Sequence, residues 1–391
     1  MKLAGFFRGD KIIWVVFLLL SIISLVEVYS SIGLYAYSLP GTRPTSLFLK
    51  HLVIVAATYV VVMFVSRINY RFFSRIAVLG YWGTLLLLAV MLALQGGRWF
   101  RIPLIGQFQP SEIAKIVLIV FVARILAIKK EKVAELGTFL ELMIYILLVV
   151  GLILPENFSM AALIFLVCYL MMLVGGVKRS YWWRLLLGMV FVGLVAAFVM
   201  LKTGDKPSAD DGGEVLHRSG IWAERIDNWL HPDPDALTQE NMARMAIARG
   251  GVLGAGIGNT VHARLMTQAH NDFIYAIIIE EMGMLGGIVV FLLYSVLYFR
   301  CIRLAWRCKG RFGALMVMGL GTVIYLQALV NMSVAVGVLP VTGQTLPFIS
   351  YGGTAYLFMG VGLGIIQSVA SDVYAVESSP QEQQAEASAA V

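Results

Sequence analysis

The chain contains 391 residues, of which 59% are hydrophobic and only 14% are charged, and its mean hydropathy is +0.83. A composition this apolar excludes a water-soluble globular protein and predicts an all-α polytopic integral membrane protein. The formal net charge is +7. Basic residues accumulate in the cytoplasmic loops of membrane proteins, so this charge reflects topology, and we expect no nucleic-acid partner.

Apolar stretches predict about ten transmembrane helices, since each crossing needs about 20 residues. The stretches are approximately 12–35, 51–66, 77–95, 111–128, 138–154, 159–177, 184–201, 272–299, 313–336 and 352–370. The second stretch is short, and only a brief segment around Pro155 separates the fifth from the sixth.

The distribution of basic residues predicts the orientation. If the N-terminus is cytoplasmic, more than half of the 30 Lys and Arg residues fall in cytoplasmic segments. We therefore expect both termini in the cytoplasm and one large extracytoplasmic loop at about 202–271. Residues 1–370 are expected to form a single transmembrane domain, and the polar segment 371–391 a disordered cytoplasmic tail.

One group of polar residues precedes the fourth span, and a second group lies within its first turns. Arg98 and Trp99 stand at its outer boundary, where they could anchor the helix at the interface or, through the guanidinium, bind phosphate. Pro110 predicts the first helical turn, and Glu112 and Lys115 can pair across three residues. Lys115 therefore either neutralises Glu112 or supplies positive charge to a site.

The second half of the large loop has more structure than its flexible first half. The segment MARMAIARG has helical spacing and is followed by glycines at 250, 251, 254, 256 and 258. Glycine permits a positive φ angle or a close approach of the backbone to a ligand. None of the five histidines has the paired spacing of a zinc site.

Asp272 stands where the polar segment MTQAHND meets the apolar segment FIYAIII. A carboxylate at the membrane rim is costly and is therefore a candidate functional group, although Asn271 or Asp272 could simply cap the next helix. On a continuous helix Glu280 lies about 12 Å further along the axis, and Glu281 lies near the opposite face. We expect these two acids to pair with a basic residue or to bond a loop.

The segment 337–353 contains Pro340, Gly343, Pro347, Gly352 and Gly353 between two spans, so it cannot form a regular helix. Irregular backbone at membrane depth is tolerated only where protein buries it or where it lines a cavity. The segment therefore predicts a partly re-entrant loop beside the functional site.

Several motifs together resemble the SEDS family, which includes FtsW, RodA and SpoVE. They are GGRWF, FQPSEIAK, AHNDFIYAIIIEEMG and NMSVAVGVLPVTGQTLPFISYGGT, and they extend over nearly the whole chain. The resemblance implies a ten-helix glycosyltransferase of the bacterial cytoplasmic (inner) membrane that polymerises lipid II. It also implies a class B penicillin-binding protein and other divisome proteins as partners. The motif VTGQTLP is more similar to the FtsW branch, which favours septal synthesis in cell division, with elongation and cell shape as the alternative role.

The resemblance also implies roles for individual residues. Asp272 matches the essential acid of the family, and Arg98, Lys115, His270 and Ser350 match positions that we assign to substrate or pyrophosphate binding. A supporting role is expected for Trp99, Glu112, Glu280, Glu281, Pro347 and Gly352. Gln268 stands where many members have Glu, which leaves Asp272 as the only acid of its motif.

The expected reaction has two chemical requirements. A sugar hydroxyl attacks the anomeric carbon of a lipid-linked glycan and needs a general base, while the departing undecaprenyl pyrophosphate needs positive charge. Asp272 suits the first role, and Arg98, Lys115 or a divalent cation such as Mg or Mn suits the second. Asp272 as a metal ligand is the competing role, and no organic cofactor is expected.

Two other functions remain open for this sequence. One is a flippase or transporter of the same lipid, and the other is a non-catalytic division scaffold. The polar candidates gather on the outer side of the chain and no internal repeat is evident, which favours chemistry at the outer leaflet.

Overall fold

The computed structural model describes residues 8–33, 43–93, 100–102, 106–178, 180–181, 225, 229–231, 238–266 and 269–377. The helices used below are α1 (Lys11–Ser31), α2 (Pro44–Val65), α3 (Tyr70–Ala93), α4 (Pro110–Ile128), α5 (Leu136–Ile153), α6 (Phe158–Val174), α7 (Gln239–Gly250), α8 (Ile274–Arg307), α9 (Arg311–Ala335) and α10 (Gly353–Glu377). A short 3-10 helix covers His262–Arg264.

Nine of the predicted spans are present as helices in the described part of the chain. Seven of them are long and apolar enough to cross a membrane, namely α1, α2, α3, α5, α8, α9 and α10. The other two are α6, which is shorter, and α4, which carries the charged pair of Glu112 and Lys115. The predicted span 184–201 lies outside the described residues. The protein is thus a helical, multi-pass membrane protein.

Several helix ends differ from the sequence prediction. Helix α2 begins at Pro44 rather than near residue 51. Proline is favoured in the first turn of a helix, and the polar residues that follow it are also helical. Helices α5 and α6 are separate, as predicted, and Asn157 caps α6 by accepting from Met160 N at 3.1 Å. Helix α10 continues to Glu377, so the first seven residues of the predicted tail are helical.

A small antiparallel hairpin precedes α4. Strand β1 (Phe100–Ile102) pairs with β2 (Gly106–Phe108), with Arg101 opposite Gln107. The Phe108 ring packs against Phe358 of α10, with 5.4 Å between the ring centroids. The hairpin therefore connects the start of α4 to α10.

Helix α8 is broken near its outer end. Gly283 has φ +71°, and the backbone beside it bonds to the loop that follows α7 rather than to the helix. Ala255 N donates to Glu280 O at 2.8 Å and Gly256 N to Glu281 O at 3.0 Å, while Met284 N donates to Gly251 O at 2.9 Å. The part of α8 after Gly283 is about 36 Å long, which is enough to cross the membrane alone.

At the opposite end of the molecule, a cluster of polar residues connects the start of α1 with α8 and α10. We call this cluster the terminal clasp and define it as Asp10, Arg300, Gln367 and Tyr374. Arg300 Nε donates to Asp10 Oδ2 at 2.9 Å, and Tyr374 Oη donates to the same oxygen at 2.9 Å. Asp10 N donates to Gln367 Oε1 at 2.7 Å. The start of α1 and the later parts of α8 and α10 therefore lie on one side, as the predicted topology requires.

Candidate active site

The predicted outer loop around Asp272 is fastened to the predicted re-entrant segment. Ser350 Oγ donates to Asn271 O at 2.6 Å and accepts from Leu346 N at 2.8 Å. Tyr351 N donates to His270 O at 3.0 Å. Residues 270–272 and 346–351, which are separated by more than 70 positions in the chain, thus form one surface.

Asp272 is half-buried and lies one residue before Phe273, the N-cap position of α8. Its carbonyl oxygen accepts a 2.9 Å hydrogen bond from Asn331 Nδ2. The same amide donates to Gln344 O at 2.7 Å. Asn331 of α9 therefore holds the backbone of both loops.

The predicted pair of Glu112 and Lys115 is buried in α4. Lys115 Nζ lies 2.6 Å from Glu112 Oε2, and the Lys115 side chain is fully buried. Lys115 also donates to Gln327 Oε1 at 2.9 Å, and Gln327 Nε2 donates to Thr345 O at 3.0 Å. Lys115 thus forms the predicted ion pair with Glu112, and hydrogen bonds through Gln327 connect this pair to Thr345 in the segment 337–353.

His270 is 3% exposed, and its ring packs edge-on against Tyr351 at 5.6 Å. Burial lowers the pKa of His270 to about 4, because the charged imidazolium would lose its hydration. The imidazole is therefore neutral at physiological pH. This neutrality makes it unsuited to hold a phosphate by charge.

The segment 337–353, predicted to be re-entrant, is held by several contacts. Phe348 adopts a left-handed backbone with φ +62°, which is uncommon for a bulky residue, and its ring packs against Phe17 at 5.1 Å. The Tyr294 hydroxyl donates to Pro347 O, and Ser24 Oγ donates to Ile349 O at 2.7 Å. Such a conformation persists only where its surroundings enforce it.

Gly352 ends this loop, and its carbonyl accepts from Tyr356 N at 2.8 Å at the start of α10. Trp229 and Arg225 of the large loop reach the same segment from outside. Trp229 Nε1 donates to Gly337 O at 3.1 Å and Arg225 Nη1 to Val341 O at 3.2 Å. Arg225 and Trp229 therefore contact the beginning of the segment 337–353.

Glu280 has the structural role predicted for it. Its carboxylate lies 2.7 Å from Arg249 Nη1 and 2.9 Å from His262 Nδ1, and it accepts from Thr260 Oγ1 at 2.6 Å. Glu281 instead accepts from Ser30 of α1. Neither set of partners includes Asp272, in agreement with the separation expected from helical geometry.

Two glycines of the predicted large loop, Gly250 and Gly254, lie against the backbone of α8. A Cβ at Gly254 would lie 2.2 Å from Glu281 O, and one at Gly283 would lie 2.2 Å from Val252 O. Both residues also have positive φ angles, of +84° and +71°. Of the two possibilities, positive φ angles are present at Gly251, Gly254, Gly256 and Gly258, whereas a close approach to a ligand stays a prediction.

Some predicted site residues lie outside the described residues, namely Arg98, Trp99 and Gln268. Gln327 and Asn331 were missed by sequence reasoning. Their four-residue spacing, which places two amides on one face of an apolar helix, was the available signal. In the described part of the chain, no group of three or more His, Cys, Asp and Glu side chains could hold a metal. The alternative role of Asp272 as a metal ligand stays a prediction, and the reaction is derived below from protein groups.

Comparisons with known proteins agree with this architecture. A family model described as cell cycle protein, FtsW/RodA/SpoVE, matches residues 10–375. A probable peptidoglycan glycosyltransferase FtsW of Geobacter metallireducens is 31% identical over 375 residues, covering 93% of this chain and 95% of the relative. Stage V sporulation protein E of Bacillus subtilis is 28% identical over 379 residues, covering 92% and 96%.

Two solved structures share the fold. A chain from a study of polymerization and crosslinking by a peptidoglycan synthase complex has a TM-score of 0.72 and 25% identity, covering 94% of this chain and 98% of its own. The rod shape determining protein RodA of Thermus thermophilus has a TM-score of 0.66 at 22% identity, covering 95% and 99%.

Proposed function

Because the chain belongs to the FtsW/RodA/SpoVE family of cell cycle proteins, we propose that it is a peptidoglycan glycosyltransferase that polymerises lipid II. The reaction takes place at the outer face of the bacterial cytoplasmic membrane. Relatives with 31% identity carry the name FtsW, which favours septal synthesis during cell division over elongation.

The observation that carries this proposal is the position of Asp272. Its backbone is fixed by Asn331, and the two residues before it are fixed by Ser350 and Tyr351. A carboxylate held on a braced loop beside irregular backbone is suited to act as a positioned general base. Asp272 accepts the proton of the attacking sugar hydroxyl as the new glycosidic bond forms and the bond to the pyrophosphate oxygen breaks.

The departing pyrophosphate requires positive charge. We assign direct contact to Arg98, which lies two residues before the hairpin that packs on α10 through Phe108 and Phe358. Lys115 has its ammonium committed to Glu112 and Gln327. We therefore give Lys115 a positioning role, through Gln327 and Thr345, rather than direct contact with phosphate.

A class B penicillin-binding protein is the proposed partner. The complex with a TM-score of 0.72 couples polymerization with crosslinking, and crosslinking is the chemistry that a transpeptidase would add to this chain. Other divisome proteins are expected to bind with it.

The test uses the purified chain with its penicillin-binding partner and fluorescent lipid II. Asp272→Ala should reduce polymerisation by about 10²- to 10⁴-fold, the usual contribution of a general base. Glu141→Gln is the matched control, because Glu141 is partly exposed and its ion pair among the described residues is with Lys129, away from Asp272. Polymerisation by Asp272→Ala at the wild-type rate would refute the catalytic assignment. Lipid II transport without any polymerisation by the wild type would favour a flippase.

A further inference from the structure

A second pair of acids lies away from the candidate active site, between α1 and α8. Glu27 is 0% exposed and Glu281 is 1% exposed, and Ser30, which lies three residues after Glu27 on the same face of α1, donates to Glu281. We call these two residues with Ser30 the α1–α8 acid pair. Nothing in the proposed reaction uses them.

Three carboxyl oxygens of this pair have no hydrogen-bond partner. They are Oε1 and Oε2 of Glu27 and Oε2 of Glu281, while Glu281 Oε1 accepts from the Ser30 hydroxyl. In the part of the chain that the structure describes, neither acid forms an ion pair with Lys, Arg or His. Buried carboxylates are ordinarily paired or bound to a metal ion, because removing them from water is costly.

The neighbouring Glu280 provides a comparison, because its buried carboxylate is fully paired with protein side chains. It has Arg249, His262 and Thr260 within hydrogen-bond distance. Glu281, the next residue, faces α1 and accepts from the Ser30 hydroxyl and from the backbone N–H groups of Gly258 and Thr260, with no basic side chain among its described partners. Among the described residues, no Lys, Arg or His supplies positive charge to the acid pair.

We propose that Glu27, Ser30 and Glu281 bind a hard divalent cation of the Mg²⁺ or Ca²⁺ type. The available donors are all oxygens, which hard cations prefer, and two carboxylates balance a charge of two. Mg²⁺ commonly binds through one or two carboxylates and keeps several waters.

The position of the site indicates which side supplies the ion. Helix α1 begins at the terminal clasp, and Glu27 lies about 24 Å further along it, near the outer end. Glu281 lies just before the break at Gly283, where Gly256 N bonds its carbonyl oxygen. A cation here would join α1, α8 and the loop after α7 at the outer rim.

The proposal does not depend on the polymerase assignment, and a binding measurement tests it. The full chain is purified with EDTA in a detergent that has a neutral headgroup, and its Tm is followed as MgCl₂ or CaCl₂ is added at constant ionic strength. We expect a saturable rise in the wild-type Tm that is lost in Glu27→Gln and in Glu281→Gln. Glu141→Gln, which removes a partly exposed acid outside the pair, should keep the rise.

Three results would overturn the proposal. One is a wild-type Tm that responds to neither divalent cation. Another is a Tm that rises with acidification alone, which would indicate a shared proton. The third is stabilisation by NaCl with no added effect of divalent ions.

Equilibrium dialysis keeps the test decisive if a variant folds poorly. The wild type should retain about one bound divalent cation per chain in excess cation, and folded Asp272→Ala should retain the same amount. Equal retention by folded Glu27→Gln, or loss in Asp272→Ala, would place the ion elsewhere and contradict the proposal.

Discussion

The side-chain amide of Asn331 donates to Asp272 O at 2.9 Å and to Gln344 O at 2.7 Å. Asparagine has two amide hydrogens, so one side chain on α9 satisfies one acceptor in each of two loops. Four residues earlier, Gln327 connects Lys115 to Thr345. Helix α9 therefore acts as the common support of the candidate site.

Asn331→Leu should disturb this support while preserving side-chain size. Two buried carbonyls lose their donor, which we expect to cost about 1–3 kcal/mol of stability for each acceptor left unpaired. Polymerisation should fall mainly in kcat, because Asp272 is displaced while the lipid-binding surface remains. The control is Asn69→Ala, whose Oδ1 accepts from Arg71 N at an exposed turn. A full wild-type kcat in Asn331→Leu would show that the tie is dispensable.

Removing one partner of the Glu112–Lys115 pair should be worse than removing both. Lys115→Met or Glu112→Gln alone leaves an uncompensated buried charge, with an expected cost of about 3–5 kcal/mol. The double variant should recover a large part of that stability, as read by Tm in detergent. It should also recover some polymerisation. A stable but fully inactive double variant would instead indicate that Lys115 touches the pyrophosphate.

The neutral state of His270 predicts a stability that depends on pH. Burial lowers its folded pKa to about 4, whereas an unfolded histidine titrates near 6.5. Between these values the unfolded chain binds a proton that the folded chain does not, so stability falls as the pH falls from about 6.5 towards about 4. The maximum effect is about 3 kcal/mol.

This dependence can be measured as the difference in Tm between the wild type and His270→Phe, which retains a ring against Tyr351. The variant should lose less stability on acidification than the wild type. Parallel pH profiles for the two proteins would contradict the assignment of a buried neutral imidazole.

The break in α8 makes Gly283 intolerant of a side chain. Gly283→Ala places a methyl group 2.2 Å from Val252 O at a positive φ angle, so the loop after α7 has to move. We expect a lower Tm and faster proteolysis of the 251–258 segment. Gly151→Ala is the control, since a Cβ there meets nothing within 4 Å and lies inside helix α5. Similar behaviour of the two variants would show that the loop is not docked at the break.

The sequence predicts the membrane helices of this protein well and the contacts between distant segments poorly. Nine spans follow from hydropathy, because the bilayer imposes the same length and apolar character on each. The hydrogen bond from Ser350 to Asn271 joins residues 79 positions apart. The local sequence pattern around either residue does not indicate which distant residue will be its partner.

The break at Gly283 illustrates the same limit. The sequence 272–299 around Gly283 predicts one continuous apolar helix, because glycine is tolerated in transmembrane helices. What ends the helical bonding is the loop at 251–256, about 30 residues earlier in the chain. Asp272 and the Glu112–Lys115 pair were visible in the sequence because charge is rare in apolar segments.

The terminal clasp has a consequence for biosynthesis. Asp10 N bonds Gln367 across 357 positions, and Tyr374 bonds the Asp10 carboxylate. The first helix of the chain therefore enters the membrane long before its partner has been translated. It reaches its final place only when the last helix inserts. A chain that stops before α10 would lack the hydrogen bonds that Gln367 and Tyr374 make to Asp10. Such incomplete products should therefore be recognised as misassembled and degraded.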